Sequence, residues 1–368
     1  MAVGVAASYE VSVPFRAGED GYASFRIPAV VRAADGALLA FCEGRVGSQE
    51  DHGDIDIVLR RSTDGGRTWG PLQVVAEHGD DTAGNPAPVV LDGGRVLLVH
   101  VRNAAEATEQ LIRLGQVAPP DGRRVWVLHS DDHGRSWSSP REITASVKKP
   151  GWRWYATTPG HALQVRQGPY AGRVVIPANH SAPPSGSDTG AEGKYDGSHS
   201  LLSDDDGATW RIGYTDSRPN GYINANETTA AELPGGRLYF NCRNDSTAPG
   251  TRADAHSADG GATLERPFRP QAGLTGPVVQ GSVLHLADPD VLLFSGPADP
   301  GFRALMTVRA SRDGGVTWRP VHTVDGLPAA YSDLVRVDDA TVGLLYETGD
   351  FHAYTTITFR RIPVEELS

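Results

Sequence analysis

Three arginines, a tyrosine and a glutamate stand where short apolar runs of this chain begin or end, and as a set they could hold an anion and act on it. Arg26 lies in Ser24-Phe25-Arg26-Ile27-Pro28-Ala29, Arg243 ends Leu238-Tyr239-Phe240-Asn241-Cys242-Arg243, and Arg303 lies in Gly301-Phe302-Arg303-Ala304-Leu305-Met306. A guanidinium offers a planar fork of donors, so three of them converging on one point suit one planar anionic group such as a carboxylate. Each charged hydrogen bond there would contribute roughly 1.5–3 kcal/mol. Glu227, in Asn224-Ala225-Asn226-Glu227-Thr228-Thr229, and Tyr331, in Ala329-Ala330-Tyr331-Ser332-Asp333-Leu334, precede apolar runs in the same way. Taken singly, an Arg more often serves a surface ion pair and a Tyr beside an apolar run more often packs. The argument rests on the set.

These residues are far apart in sequence, so the fold must bring them together. The pattern Ser-x-Asp-x-Gly-x-x-Trp occurs at Ser62 to Trp69, Ser130 to Trp137, Ser203 to Trp210 and Ser311 to Trp318, and Ser257 to Leu264 lacks only the Trp. Copies spaced by about fifty to seventy residues mark a repeat architecture. Asp can accept from turn N–H groups, Gly supplies positive φ, and Trp packs between repeats, so the octapeptide reads as a structural hairpin turn. Alternating with the copies are six apolar runs with polar tips: Leu38–Glu43, Val96–Val101, Val174–Asn179, Leu238–Arg243, Val291–Gly296 and Val342–Glu347. Their length, their β-branched content and turn signals such as Asp35-Gly36 and Gly235-Gly236 suit strands. The alternation predicts an all-β, six-bladed β-propeller. Tyr9–Val13 and Tyr354–Phe359 are expected to pair and close the ring. Ala104 to Leu114 is the best helix candidate. No linker divides the chain, so residues 1–368 read as one domain.

The 368 residues include 43 Gly and 26 Pro, a turn-rich globular composition. No apolar run approaches the ~20 residues of a membrane helix. Met1 to Tyr9 lacks a basic start and a long apolar stretch, which on the literal sequence implies a cytoplasmic chain; a trimmed secreted chain would read the same. Cys42 and Cys242 are too few for a disulfide scaffold. A net charge of −11 argues against broad nucleic-acid binding, so an anionic ligand would need a local Arg cluster. No His-Glu-x-x-His pattern or Cys–His spacing points to a metal, and no cofactor is expected.

Several motifs occur together in a familiar order. Arg26-Ile27-Pro28, the octapeptides, Asn226-Glu227 through Asn241-Cys242-Arg243, and Tyr331-Ser332-Asp333-Leu334 through Gly343-Leu344-Leu345-Tyr346-Glu347 resemble the bacterial exo-α-sialidases, whose octapeptides are called Asp-boxes. The resemblance implies that Arg26, Arg243 and Arg303 hold the sugar carboxylate and that Glu347 orients Arg26. It implies Tyr331 as nucleophile, Glu227 as its base, and an acid/base Asp between the first Arg and the first Asp-box. Asp51 is the choice, with Asp54 the rival and Asp56, between Ile55 and Ile57, structural. Arg45 resembles a further substrate-contacting Arg, and Asn85, in Asn85-Pro86-Ala87-Pro88, falls at the N-acetyl pocket. Trp152, Trp154 and Tyr155 could form the rim that meets the aglycone.

The implied reaction is retaining release of terminal sialic acid from sialylated oligosaccharides, glycoproteins or glycolipids. A neutral Tyr avoids the repulsion that a carboxylate nucleophile would meet at a carbon bearing a carboxylate. A non-catalytic sugar-binding propeller would need the Arg set without Asp51, Glu227 and Tyr331. An Asp-box hydrolase of neutral polysaccharide would have no use for three Arg. A trans-sialidase or intramolecular trans-sialidase would share every residue named.

Overall fold

The computed structural model describes residues 9–218, 221–246 and 251–367; the opening Met1 to Ser8 lies outside them. All six apolar runs are strands: Leu38–Arg45, Val96–Asn103, Val174–Ser181, Leu238–Asn244, Asp290–Pro297 and Thr341–Thr348. Each is nearly or wholly buried and is the second strand of its run along the chain, paired antiparallel with an innermost strand before it and a third strand after it. The innermost strands are Ser24–Arg32, Thr82–Val90, Tyr155–Thr157 with Leu163–Gln164, Ala225–Glu232, Ser282–Ala287 and Ala329–Asp338. They touch one another in turn, and Ala329–Asp338 touches Ser24–Arg32, so the arrangement is that of a β-propeller.

Six separate sheets were expected, and the described residues form five: three of four strands, one of five and one of eight. The eight-stranded sheet arises because the strands Ile55–Ser62 and Thr82–Val90 meet at one parallel pair, Ile55 with Thr82. Val11–Arg16 pairs antiparallel with Thr356–Pro363, as the ring-closing expectation required. Tyr354, expected in that strand, lies just before it. The helix expected over 104–114 is confined to Glu109–Arg113, because Thr108 caps its start by accepting from Leu111 N. Among the described residues no helix is long and apolar enough to cross a membrane.

The octapeptides turn the chain between third and fourth strands. In the first, Gly66 N donates to Ser62 Oγ at 2.8 Å, Thr68 N donates to Asp64 Oδ1 at 3.0 Å and Thr68 Oγ1 to Asp64 Oδ2 at 2.6 Å. The copy without Trp keeps the same bonds around Asp259. The Trp packs on a neighbouring run of strands: Trp69 meets Phe359 edge-on at 5.4 Å, and Trp137 meets Phe41 at 5.8 Å. Gly66, at φ +87°, lies so close to Phe359 that a Cβ would fall 2.1 Å from the ring. Only Gly fits there.

At the centre, the buried carboxylate of Asp333 joins several inner strands. Its Oδ2 accepts from Val30 N and His161 N, both at 2.8 Å. Its Oδ1 contacts His161 Nδ1 at 2.7 Å and accepts from Ser282 Oγ at 2.7 Å and Leu334 N at 3.2 Å. Burial alone would lower the His161 pKa, yet Asp333 lifts it above its ordinary 6.5. Removing one partner of a buried ion pair typically costs about 3–5 kcal/mol. Asp333→Asn should therefore lower the urea midpoint markedly. Because His161 binds its proton more tightly folded than unfolded, its contribution is complete below pH 6.5 and fades as pH rises through the raised value. Urea titrations across that range should show this slope in the wild type and lose it in His161→Ala.

Candidate active site

The inner strands do not run smoothly into the centre. Four of them carry a β-bulge near their first residues: between Arg26 and Ala29, Gly84 and Ala87, Ala225 and Thr228, and Ala329 and Ser332. A bulge adds a residue and re-aims the side chains beside it. The bulged segments carry Arg26, Asn85, Glu227 and Tyr331. Ile27 stands at φ +64° and Asn85 at φ +54°, conformations costly for side chains other than Gly.

Two carboxylates hold these strained positions. Glu347 Oε1 accepts from Ile27 N and from Arg26 Nε, both at 2.8 Å, while Oε2 accepts from Tyr331 N at 3.1 Å. Glu43 does the same for the next innermost strand: Oε1 accepts from Asn85 N at 2.8 Å, and Oε2 accepts from Arg45 Nε at 3.1 Å and Nη2 at 2.6 Å. Both acids lie near the ends of second strands and grip the next innermost strand around the ring. Sequence reading found Glu347 and missed Glu43, although Phe41-Cys42-Glu43 and Leu345-Tyr346-Glu347 share the form apolar-x-Glu at a strand end.

A cavity of about 270 Å³ opens over the bulges. Arg26, Arg45, Asp51, Asn85, Glu227, Arg243, Arg303 and Tyr331 all line it, and Glu347 lies directly beneath, fully buried. Eight of the nine residues singled out from sequence thus share one wall-to-wall pocket, and the ninth supports it. Asp54 and Asp56 do not line the pocket; Asp56 accepts from Tyr22 OH at 2.7 Å instead. Tyr331 OH donates to Glu227 Oε1 at 2.6 Å. Arg243 Nη1 donates to Glu227 Oε2 and to Tyr331 OH, both at 3.2 Å, and its Nε is held by Asp245 Oδ1 at 2.6 Å. Arg303 Nη1 donates to Tyr354 OH at 3.1 Å.

Three more pocket residues escaped the sequence reading. Tyr354 lies under the Arg26 guanidinium at 4.0 Å and so links two arginines of the set. Arg123 is buried, donates from Nη1 to Asn85 Oδ1 at 2.8 Å and stacks on Trp154 at 3.8 Å. Glu109, from the short helix, completes that wall. Arg123 follows an Asp121-Gly122 turn leading out of a second strand, the same topological place as Asp51, Arg303 and Tyr354. Of the expected aromatic rim only Trp154 lines the pocket. Tyr155 is fully buried, because its ring packs into the apolar cluster that holds Val174, Ile176 and Ala178. Trp152 stacks on His180 at 3.6 Å.

Electrostatics divide the acids. Burial raises the Glu227 pKa, opposed by Arg243 and the bond from Tyr331. Burial likewise pushes the Tyr331 phenol up, reinforced by the Glu227 charge and opposed by Arg243, Arg303 and Arg26. Asp51 projects into the pocket mouth with its side chain 65% exposed and Oδ1 2.7 Å from Arg45 Nη2. Partial burial raises its pKa, but Arg45, Arg26 and Arg123 outweigh that and hold it below the ordinary value. Burial pulls Arg123 down to about 10.

The geometry can be set beside known proteins. The BNR repeat-like domain family matches residues 36–346. A sialidase of Micromonospora viridifaciens is 34% identical over 90% of this chain and 51% of its own. An exo-alpha-sialidase of Aspergillus fumigatus is 31% identical over 93% of this chain and 84% of its own. The chain belongs to the sialidase family. It spans about half the length of the Micromonospora relative and most of the Aspergillus one. Among solved structures, the Hadza microbial sialidase Hz136 is 28% identical with a TM-score of 0.82, covering 97% of this chain and 69% of its own. An intramolecular trans-sialidase from Ruminococcus gnavus has a TM-score of 0.80 at 18% identity, covering 97% and 98%, a likeness of fold alone.

Within this family member the Arg45–Asp51 contact is directly testable. Arg45→Gln removes the nearest positive charge, so the Asp51 carboxyl should titrate at higher pH than in the wild type, read by carboxyl-carbon NMR.

Proposed function

We propose that the chain is an exo-α-sialidase that hydrolyses terminal α-linked sialic acids of oligosaccharides, glycoproteins or glycolipids with retained configuration. The observation that carries this reading is the 2.6 Å bond from Tyr331 OH to Glu227 in a pocket shared with Arg26, Arg243 and Arg303. The three arginines hold the sugar carboxylate and so place the anomeric carbon above Tyr331. Tyr331 Oη attacks that carbon while its proton passes to Glu227 Oε1. As the glycosidic bond breaks, the Asp51 carboxyl gives its proton to the leaving oxygen. In the second half, the Asp51 carboxylate takes a proton from water, whose oxygen displaces the tyrosyl oxygen, and Glu227 returns the proton to Tyr331.

Glu347 fixes the Arg26 fork, and Arg45 holds Asp51 at the mouth. Asn85, braced by Arg123, faces the N-acyl side of the sugar. The same reading takes the eight-stranded sheet as two blades joined by one bridge, giving six blades and one catalytic domain. The ring of inner strands and the single parallel pair support that count.

Tyr331→Phe should lower kcat/KM for an aryl α-sialoside by at least about 10³-fold. A wild-type protein that binds sialic acid without releasing it would instead mark a lectin. Asp51→Asn should slow a sialoside with a poor leaving group by about 10²–10⁴-fold and an activated aryl sialoside much less. With the activated substrate its pH profile of kcat/KM should keep a single acid limb. That limb belongs to Glu227 losing its proton, above its ordinary 4.5 because burial raises it. Loss on neither substrate would move the acid role to Asp54.

A further inference from the structure

Arg252 has no part in the reaction above, yet it is a buried cation without a counter-charge. It is 7% exposed, its Nε donates to Asn241 Oδ1 and its Nη1 to Val279 O, both within hydrogen-bond distance. Its Nη2 has no partner among the described residues. Glu227 acts on it through space but is already held by Arg243 and Tyr331. Burial pulls its pKa down to about 10. A buried charge left unpaired is strongly unfavourable, so an arrangement that keeps one calls for a ligand.

Two more unpartnered polar groups stand beside it. Asn244 is 4% exposed; its Oδ1 accepts from Asn224 N at 2.9 Å and Ser246 N at 3.2 Å, which turns Nδ2 outward as a donor with no acceptor. Thr251 Oγ1 is likewise buried and unpaired. Asn244, Thr251 and Arg252 line one cavity of about 190 Å³, walled by Val278 and Pro300, and no Asp or Glu among the described residues lines it. Arg243 lines both this cavity and the pocket at Tyr331. A guanidinium, an amide and a hydroxyl on residues that line one small space without an acid are the donor set for a carboxylate or oxyanion.

We propose that this cavity is a second anion site, distinct from the sialic acid pocket, that takes a small carboxylate or oxyanion on Arg252 Nη2, Asn244 Nδ2 and Thr251 Oγ1. The anion has two sources: a free inorganic ion, or the carboxylate of a second acidic sugar next to the one held at Tyr331. Occupancy supplies the missing counter-charge and stabilises the fold by mass action.

The test uses the whole chain and two near-isosteric variants outside the residues assigned to the reaction. Asn244→Asp keeps the Oδ1 acceptor but puts a negative oxygen where the anion binds, and Thr251→Val removes the free hydroxyl. A cooperative thermal unfolding transition confirms that each is folded; should one fail to fold, the other carries the comparison. Saturating inorganic phosphate is expected to raise the wild-type Tm by about 2 °C, and this rise is lost in the variants. A rise that persists undiminished in the variants overturns the proposal, since it places phosphate elsewhere. If phosphate leaves the wild-type Tm unchanged, an α2,8-linked disialoside decides. A KM raised about five-fold in the variants, with the aryl monosialoside unaffected, assigns the site to the second sugar; an unchanged KM overturns it. This last arm rests on the proposed sialidase activity and the phosphate arm does not. A wild type inert toward both sialosides therefore fails that reading separately.

Discussion

One buried carboxylate sets the geometry of the centre. Asp333 has two oxygens, and donors from strands that begin in different parts of the ring occupy both. A carboxylate offers about four lone-pair directions, so this acceptor is filled and cannot tilt without breaking bonds to several strands at once. Val30 is four residues beyond Arg26 on one of these strands, and Tyr331 is two before Asp333 on another. The groups that meet the sugar are therefore mounted on the segments that Asp333 locks together. Gln280 adds a second tie nearby, donating to Pro159 O and Ser332 O at 3.0 Å each.

Around that hub the pocket is built by opposing charges within a chain that is negative overall. Glu347 and Glu43 spend their oxygens on strained backbone N–H groups as well as on arginines. Each therefore ties conformation to electrostatics: the guanidinium is oriented by the same carboxylate that makes a positive φ tolerable. The acids that stay open to the pocket differ in kind. Glu227 is buried and holds its proton more readily than usual, whereas Asp51 sits among arginines and gives its proton up more readily. In the free pocket burial thus biases the base toward holding a proton and the arginines bias the acid toward losing one, each opposite to its part in attack on a glycoside. A sugar carboxylate bound by the arginines would relieve part of the field that acidifies Asp51.

Much of this was legible in the residues. The octapeptides and the alternating apolar runs announce a ring of β-sheets, because turn chemistry and strand length are local properties. The Arg, Glu and Tyr of the pocket were found because each sits at a strand tip. Tyr354, Arg123 and Glu109 were hidden, since they ride on connections whose course depends on packing rather than on local pattern. Trp152 and Tyr155 show the converse failure. Adjacent aromatics look alike in sequence, but strand pleat sends Tyr155 into the core while Trp154 faces the cavity. The merging of two expected sheets into one depends on a single pair, Ile55 with Thr82, which no repeat signal carries.

The octapeptides and the pocket lie at opposite ends of the strands: one set of turns follows the third strand, while the pocket residues occupy the start of the first and the passage out of the second. The two ends thus answer to different demands. Loops at the pocket end can lengthen, as the passage carrying the short helix from Glu109 to Arg113 already does, without disturbing the turns that fix sheet spacing. Such a division lets one end drift toward new substrates while the other keeps the ring in register, a modularity written into the direction in which the chain threads each sheet.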